Sequence, residues 1–173
     1  VCESLKKEFL GKNTFEVGGH NYNKISYIYG ANGSGKTNFL SALTKMQKMI
    51  IMSTVLGANN NKLLEVPAIK KELASPIETF KFDVDCKSRE TFFEIQVLLE
   101  GILYSYSFAV QDGKIQIELL TKKNKRTEIL IKRTSPKYED ILLRSGLASF
   151  KGMVTVVRDD ALCLAMAAML NNP

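Results

Sequence analysis

Two hydrophobic periods alternate along this chain. Ile25-Ser26-Tyr27-Ile28-Tyr29 is a short, nearly continuous apolar run, and its length predicts a buried strand. Beyond residue 37, Phe39, Leu43, Met46 and Ile50 recur at helical spacing, with Leu40 and Ile51 widening the stripe and Lys45 and Lys48 off it. That spacing predicts an amphipathic helix ending near Gly57, ahead of the turn-forming Asn59-Asn60-Asn61. The methionines in it read as core filling. Upstream, Thr14-Phe15-Glu16-Val17 reads as a short strand and Gly18-Gly19 as a turn.

From about residue 78 to 133 the period changes to two. Phe80 and Phe82 alternate with Lys81 and Asp83. Phe93, Ile95, Val97 and Leu99 fall on one face, as do Ile102, Tyr104, Tyr106, Phe108 and Val110, and then Ile115, Ile117 and Leu119. Glu100-Gly101 and Asp112-Gly113 punctuate these runs as hairpin turns. The pattern predicts an antiparallel meander, inserted after the first helix. It does not suit a compact nucleotide kinase or small GTPase, whose parallel strands require crossover connections. After Ser135-Pro136 the spacing predicts a short helix over 138–143. Then comes Asp159-Asp160 followed by an apolar helix from Ala161 to Leu170, capped by either Asp and stopped by Asn171-Asn172-Pro173. A helix apolar all round must be buried, and few partners for it are evident, so the expectation is that further chain packs there.

The candidate chemistry lies between the apolar run and the helix. Gly30-Ala31-Asn32-Gly33-Ser34-Gly35-Lys36-Thr37 satisfies G-x-x-x-x-G-K-[ST], the phosphate-binding loop, in its strand–loop–helix context. Glycines at 30, 33 and 35 allow backbone N–H groups to converge on phosphate oxygens. Lys36 is the catalytic candidate, a charge for the β- and γ-phosphates. Thr37 is the metal candidate, a hydroxyl for Mg²⁺, and the helix directs its positive dipole end at the same place. Ala31, Asn32 and Ser34 contribute backbone donors, and Asn38 caps the helix or touches phosphate. What is read from this loop is a polyphosphate with Mg²⁺.

Composition changes the picture only slightly. At 173 residues and 45% apolar, the chain is the size of one domain with a proper core. Cys2, Cys86 and Cys163 are widely spaced, which argues against a zinc site or disulfide framework and for a reducing, cytoplasmic setting. No stretch is long and apolar enough to span a bilayer, and the lack of a starting Met reads as a piece of a longer protein. The net charge is +6. Much of the excess lies in Lys122, Lys123, Lys125, Arg126, Lys132 and Arg133, opposed only by Glu128 between Thr121 and Arg133. That segment is either a nucleic-acid footprint or a solvated hairpin tip whose lysines blunt an edge strand; the lack of interleaved aromatics favours the second. His20 and Tyr22 are candidates to stack on adenine, although a surface loop accounts for them as well.

The segment Tyr27 to Leu43, the meander with Ile117-Glu118-Leu119-Leu120, and Arg158-Asp159-Asp160-Ala161-Leu162-Cys163-Leu164-Ala165 together resemble the N-terminal half of prokaryotic ATPases with ABC/SMC-like heads. The resemblance is to the AAA-labelled branch found in abortive-infection, anti-phage and overcoming-lysogenization-defect type systems. It implies an α/β P-loop NTPase head with an antiparallel β subdomain, divided into a strand–loop–helix core at 1–57, the meander at 78–133 and a helical segment at 135–173 packing on a missing C-terminal half. It also implies that the polyphosphate is ATP, hydrolysis of that ATP in the complete protein, homodimerisation through nucleotide-sandwiched heads, and coupling to DNA, RNA or a nuclease partner. In such proteins the signature loop, the Walker B acids and a switch His lie further along the chain. The nearest imitation of Walker B here is Val154-Thr155-Val156-Val157-Arg158-Asp159-Asp160, where Arg158 interrupts the junction. Two other classes compete: a small-molecule or nucleotide kinase, and a nucleic-acid-binding module regulated by nucleotide. A GTPase is disfavoured, since Asn61-Lys62-Leu63-Leu64 lacks the acid that pairs with guanine.

Overall fold

A hairpin and a loop-bearing helix open the chain, and a meander follows. The computed structural model describes residues 11–17, 20–57, 67, 89–144 and 147–169. The chain divides into two units, residues 1–42 and 43–173, and the division falls inside the helix α1, Lys36–Gly57.

In the first unit, β1 (Thr14–Val17) pairs antiparallel with β2 (His20–Asn23). The rings of Phe15 and Tyr22, registered opposite each other, lie 5.8 Å apart, the cross-strand aromatic contact that steadies a short hairpin. Thr14 is buried, and its hydroxyl accepts the N–H of Gly11. Residues 25–30 carry no ladder, and Tyr27 and Tyr29 are 83% and 91% exposed. The buried strand expected at Ile25–Tyr29 is therefore not found among the described residues. An apolar run becomes a core strand only when neighbours take its backbone groups and both faces, and no described strand pairs with this one.

The second unit is built on a five-stranded antiparallel sheet in the order β3-β4-β5-β6-β7. Its strands are β3 (Thr91–Leu99), β4 (Ile102–Gln111), β5 (Lys114–Lys123), β6 (Thr127–Arg133) and β7 (Ile141–Leu143). Glu100-Gly101 and Asp112-Gly113 adopt positive φ at both positions of each turn, the geometry that matches strand twist in a two-residue hairpin. The expected meander is thus present from residue 91; the Phe80 and Phe82 alternation lies outside the described residues.

Two expectations fail for identifiable reasons. A bulge between Ala109 and Val110 of β4 pairs Ala109 with Ile117 and Val110 with Ile115. Skipping Gln116 sends Ile115 inward but Ile117 and Leu119 to the outer face, and brings Glu118 and Leu120 to the core face. The segment 138–143 is not one helix. Tyr138–Asp140 makes a single 3-10 turn, and Ile141–Leu143 pairs with β6, an outcome that local helical spacing cannot anticipate because the ladder partner is remote in sequence.

The core face carries Phe93, Tyr106, Phe108, Ile115, Leu120, Ile131 and Leu143, with Phe93 stacked on Phe108 at 5.1 Å. Against it pack Met46 with part of Met49 and Ile50 from α1, Phe150 of α2 (Ala148–Lys151), and the buried Cys163, Ala165, Met166 and Ala167 of α3 (Cys163–Met169). The apolar helix expected to lack partners finds them here. On α1 only part of the predicted stripe is covered: Phe39, Leu40, Leu43 and Ile51 are about half exposed.

Candidate functional site

The loop at 30–37 has the local geometry its sequence requires. Gly33 and Gly35 sit at φ +83° and +87°, a region that costs L-residues roughly 1–2 kcal/mol. Gly30 has another reason to be glycine, since a Cβ there would meet Ser34 Oγ at 2.8 Å. A turn closes as Ser34 N–H donates to the Ala31 carbonyl at 3.2 Å, and α1 begins as Phe39 N–H donates to the Gly35 carbonyl at 3.1 Å. Residues 32–38 thereby line an open concavity of about 270 Å³. That is slightly below the span of ~300–1,000 Å³ usual for small-molecule pockets, and it suits a polyphosphate rather than an entire nucleotide.

Lys36 reaches back over the loop. Its Nζ donates to the Gly30 carbonyl at 2.8 Å and the Ala31 carbonyl at 2.7 Å, with Ser34 Oγ at 3.5 Å. Neither carbonyl carries a full negative charge, so the ammonium keeps its charge available while its direction is set. Thr37 and Asn38 occupy the first turn of α1, where N–H groups lack intrahelical partners. Residues 32–38 thus surround the concavity, and Lys36 ties Gly30 and Ala31 to them. Among the described residues no cluster of three or more His, Cys, Asp or Glu side chains forms a metal cage. A single hydroxyl on Thr37 is the type of donor that suits Mg²⁺, which takes most of its shell from phosphate and water.

The remaining candidates are arranged otherwise. His20 and Tyr22 are on a paired strand, not in a loop, with Tyr22 against Phe15. Val154–Val156, in the Walker B imitation, forms a 3-10 turn rather than a strand. Asp159 bridges to Lys114 at 3.0 Å, an attraction that holds its carboxyl below the usual range, and Asp160 accepts two hydrogen bonds from the Arg158 guanidinium. Neither caps the following helix. The caps come from elsewhere: Glu118 Oε2 accepts the N–H of Cys163 at 2.7 Å, Glu118 Oε1 accepts that of Leu164 at 2.9 Å, and Ser53 Oγ accepts that of Leu162 at 3.0 Å.

Glu118 is completely buried and also accepts from the Tyr106 hydroxyl at 2.9 Å. Burial pushes its carboxyl above the usual carboxylate range, opposed by these three hydrogen bonds and by Arg133. Burial likewise raises the Tyr106 phenol. Arg133, counted by sequence in the basic segment, is fully buried instead. Its guanidinium donates to the carbonyls of Ser135, Ala161, Pro136 and Arg158. The sequence did contain a signal for this pair: an acid and an arginine registered opposite each other on an otherwise apolar face. Reading it required knowing the bulge.

Residues 25–151 match the family model described as "AAA domain, putative AbiEii toxin, Type IV TA system". No curated protein and no solved structure matches the chain.

Proposed function

The chain belongs to this AAA domain family, and on that premise we propose that it binds ATP with Mg²⁺ through residues 30–38, as part of an ABC/SMC-like ATPase head that hydrolyses ATP in the complete protein. The observation that carries the reading is the placement of Lys36 Nζ over the loop, held by the carbonyls of Gly30 and Ala31.

The Gly33 and Gly35 conformations turn backbone N–H groups into an anion nest, and the start of α1 adds its dipole at the same spot. Lys36 holds the β- and γ-phosphates and stabilises charge that develops on them during transfer. Thr37 is the residue that would hold Mg²⁺, which would supply positive charge against the phosphates. The loop orients the phosphates; the attacking water is oriented by residues outside it. Asp159 and Asp160 are engaged with Lys114 and Arg158, which does not favour either as that group.

The family description connects the domain with a toxin of a type IV toxin–antitoxin system, and we extend the proposal to a cytoplasmic anti-phage or abortive-infection role. Two such heads would close around the nucleotides, with a nuclease or other effector as partner. Titration calorimetry with ATP and Mg²⁺ tests the core of the reading. Micromolar to millimolar binding that is lost in Lys36→Ala supports it, and equal binding by both proteins overturns it. Transfer of a labelled γ-phosphate to a small acceptor rather than to water would reassign the chain to the kinase class.

A further inference from the structure

The basic segment has a different structure from the one its sequence implies. Its edge-guarding explanation applies to the tip end of β6 alone, because β7 pairs with β6 only at Ile131–Arg133 and β5 is an interior strand. Two of its cations are also spent internally. Arg133 is buried against four carbonyls, and Lys122 is paired with Glu128 at 3.1 Å. Lys132 is exposed at the far end of β6, and the rest is compact: Lys123, Lys125 and Arg126, with Asn124 between them, all exposed at the tip of the β5–β6 hairpin. Lys123, Lys125 and Arg126 have no ion-pair partner among the described residues.

From this we infer that the β5–β6 hairpin tip is a docking surface for the phosphate backbone of duplex nucleic acid, with Lys123, Lys125 and Arg126 as the contacting cations. β4 stays paired with β5 as far as Leu103–Lys123, so the tip is a rim of the sheet whose cations meet the phosphates from outside a groove. Asn124 at the turn adds amide donors for the same phosphate oxygens. The span Thr121–Glu128 contains no apolar side chain. A lipid surface or an amphipathic peptide would want apolar anchors at the tip itself. Exposed apolar side chains lie instead on the neighbouring β3–β4 hairpin, where Leu98 and Leu99 are 41% and 56% exposed. Charge without apolar surface is the composition that polyphosphate backbones select. The contact is electrostatic and independent of base sequence, and it is separate from the nucleotide loop.

The experiment is fluorescence anisotropy of a labelled 20-base-pair DNA duplex, titrated with the whole chain at several salt concentrations. Three phosphate contacts give a slope of log K against log salt near −2.7, so affinity should fall roughly 40-fold between 50 and 200 mM salt. The variant Lys123→Gln/Lys125→Gln/Arg126→Gln should bind at least tenfold more weakly at 50 mM and flatten the slope by about two units or more. Its melting temperature should match that of the unaltered chain, since the three positions are solvated. The single change Lys125→Glu gives an independent reading of the same surface and should weaken binding in the same direction. Leu98→Ser/Leu99→Ser should leave duplex affinity within about twofold. No binding at 25 mM salt, or an unchanged slope in the triple variant, overturns the inference. So does preferential binding to phosphatidylserine vesicles that depends on Leu98 and Leu99, which would make the tip a membrane contact.

Discussion

Ser53 Oγ accepts the backbone N–H of Leu162 at 3.0 Å and donates to the Met49 carbonyl at 2.7 Å. One hydroxyl thereby joins α1 to the entrance of α3, although 109 residues of chain separate the two. Glu118 takes the next two N–H groups, so a strand and a helix together provide the cap that the local sequence does not.

Replacing Ser53 by Ala should expose the value of that bond. The Leu162 N–H would be left buried without an acceptor, which costs about 1–3 kcal/mol. Urea unfolding should show a lower midpoint with an unchanged slope. An unchanged midpoint would mean that water or a shift of α3 replaces the hydroxyl.

The Glu118 carboxyl should make stability depend on pH in a defined direction. Burial raises its value in the folded state, so the protonated form is favoured there. The stability it contributes is greatest below the unfolded carboxylate value and is lost as pH rises through the raised folded value. Glu118→Gln cannot titrate at this position, while Asp159, Asp160, Arg133, Tyr106 and Cys163 remain in both proteins. The melting temperature of Glu118→Gln relative to the unaltered chain should therefore rise as pH increases above the ordinary carboxylate value. A difference that is flat or falls with pH would place the folded value at or below the ordinary one.

Lys36→Ala should remove most ATP affinity, about 2–4 kcal/mol, because it leaves the phosphates without their counter-charge. Fold stability should change little, since the bonds from Lys36 to the Gly30 and Ala31 carbonyls are exposed. Calorimetry and a melting curve on the same preparation separate the two effects.

Thr37→Ala should raise the Mg²⁺ concentration needed for half-maximal ATP binding, on the order of tenfold, by removing the hydroxyl ligand. Thr37→Ser should restore it. If Ala and Ser variants behave alike in a Mg²⁺ titration, the metal takes no ligand from this residue.

The phosphate loop was legible in the sequence because its chemistry is local. Backbone freedom at Gly33 and Gly35, a lysine and a hydroxyl residue all act within eight positions. The helix after it and the hairpin turns at Glu100-Gly101 and Asp112-Gly113 were legible for the same reason. The failures lie where the deciding partner is remote. Ile117 and Glu118 exchanged faces through a bulge set by pairing with β4. Ile141–Leu143 became a strand because β6 was available, and Asp159 and Asp160 lost the capping role to Glu118 and Ser53. The apolar run at 25–29 had the composition of a core strand but has no described neighbour to make it one.

Cys163 sits at the first position of α3, fully buried, and burial pushes its thiol well above the ordinary value. In the closed protein it is therefore inert to alkylating reagents, which require the thiolate and access to it. Every modification event at this sulfur then records an opening of the packing between α3 and the sheet. In a Cys2→Ser/Cys86→Ser background, the rate of iodoacetamide uptake becomes a clock for that opening, built into the chain by one apolar position that carries sulfur.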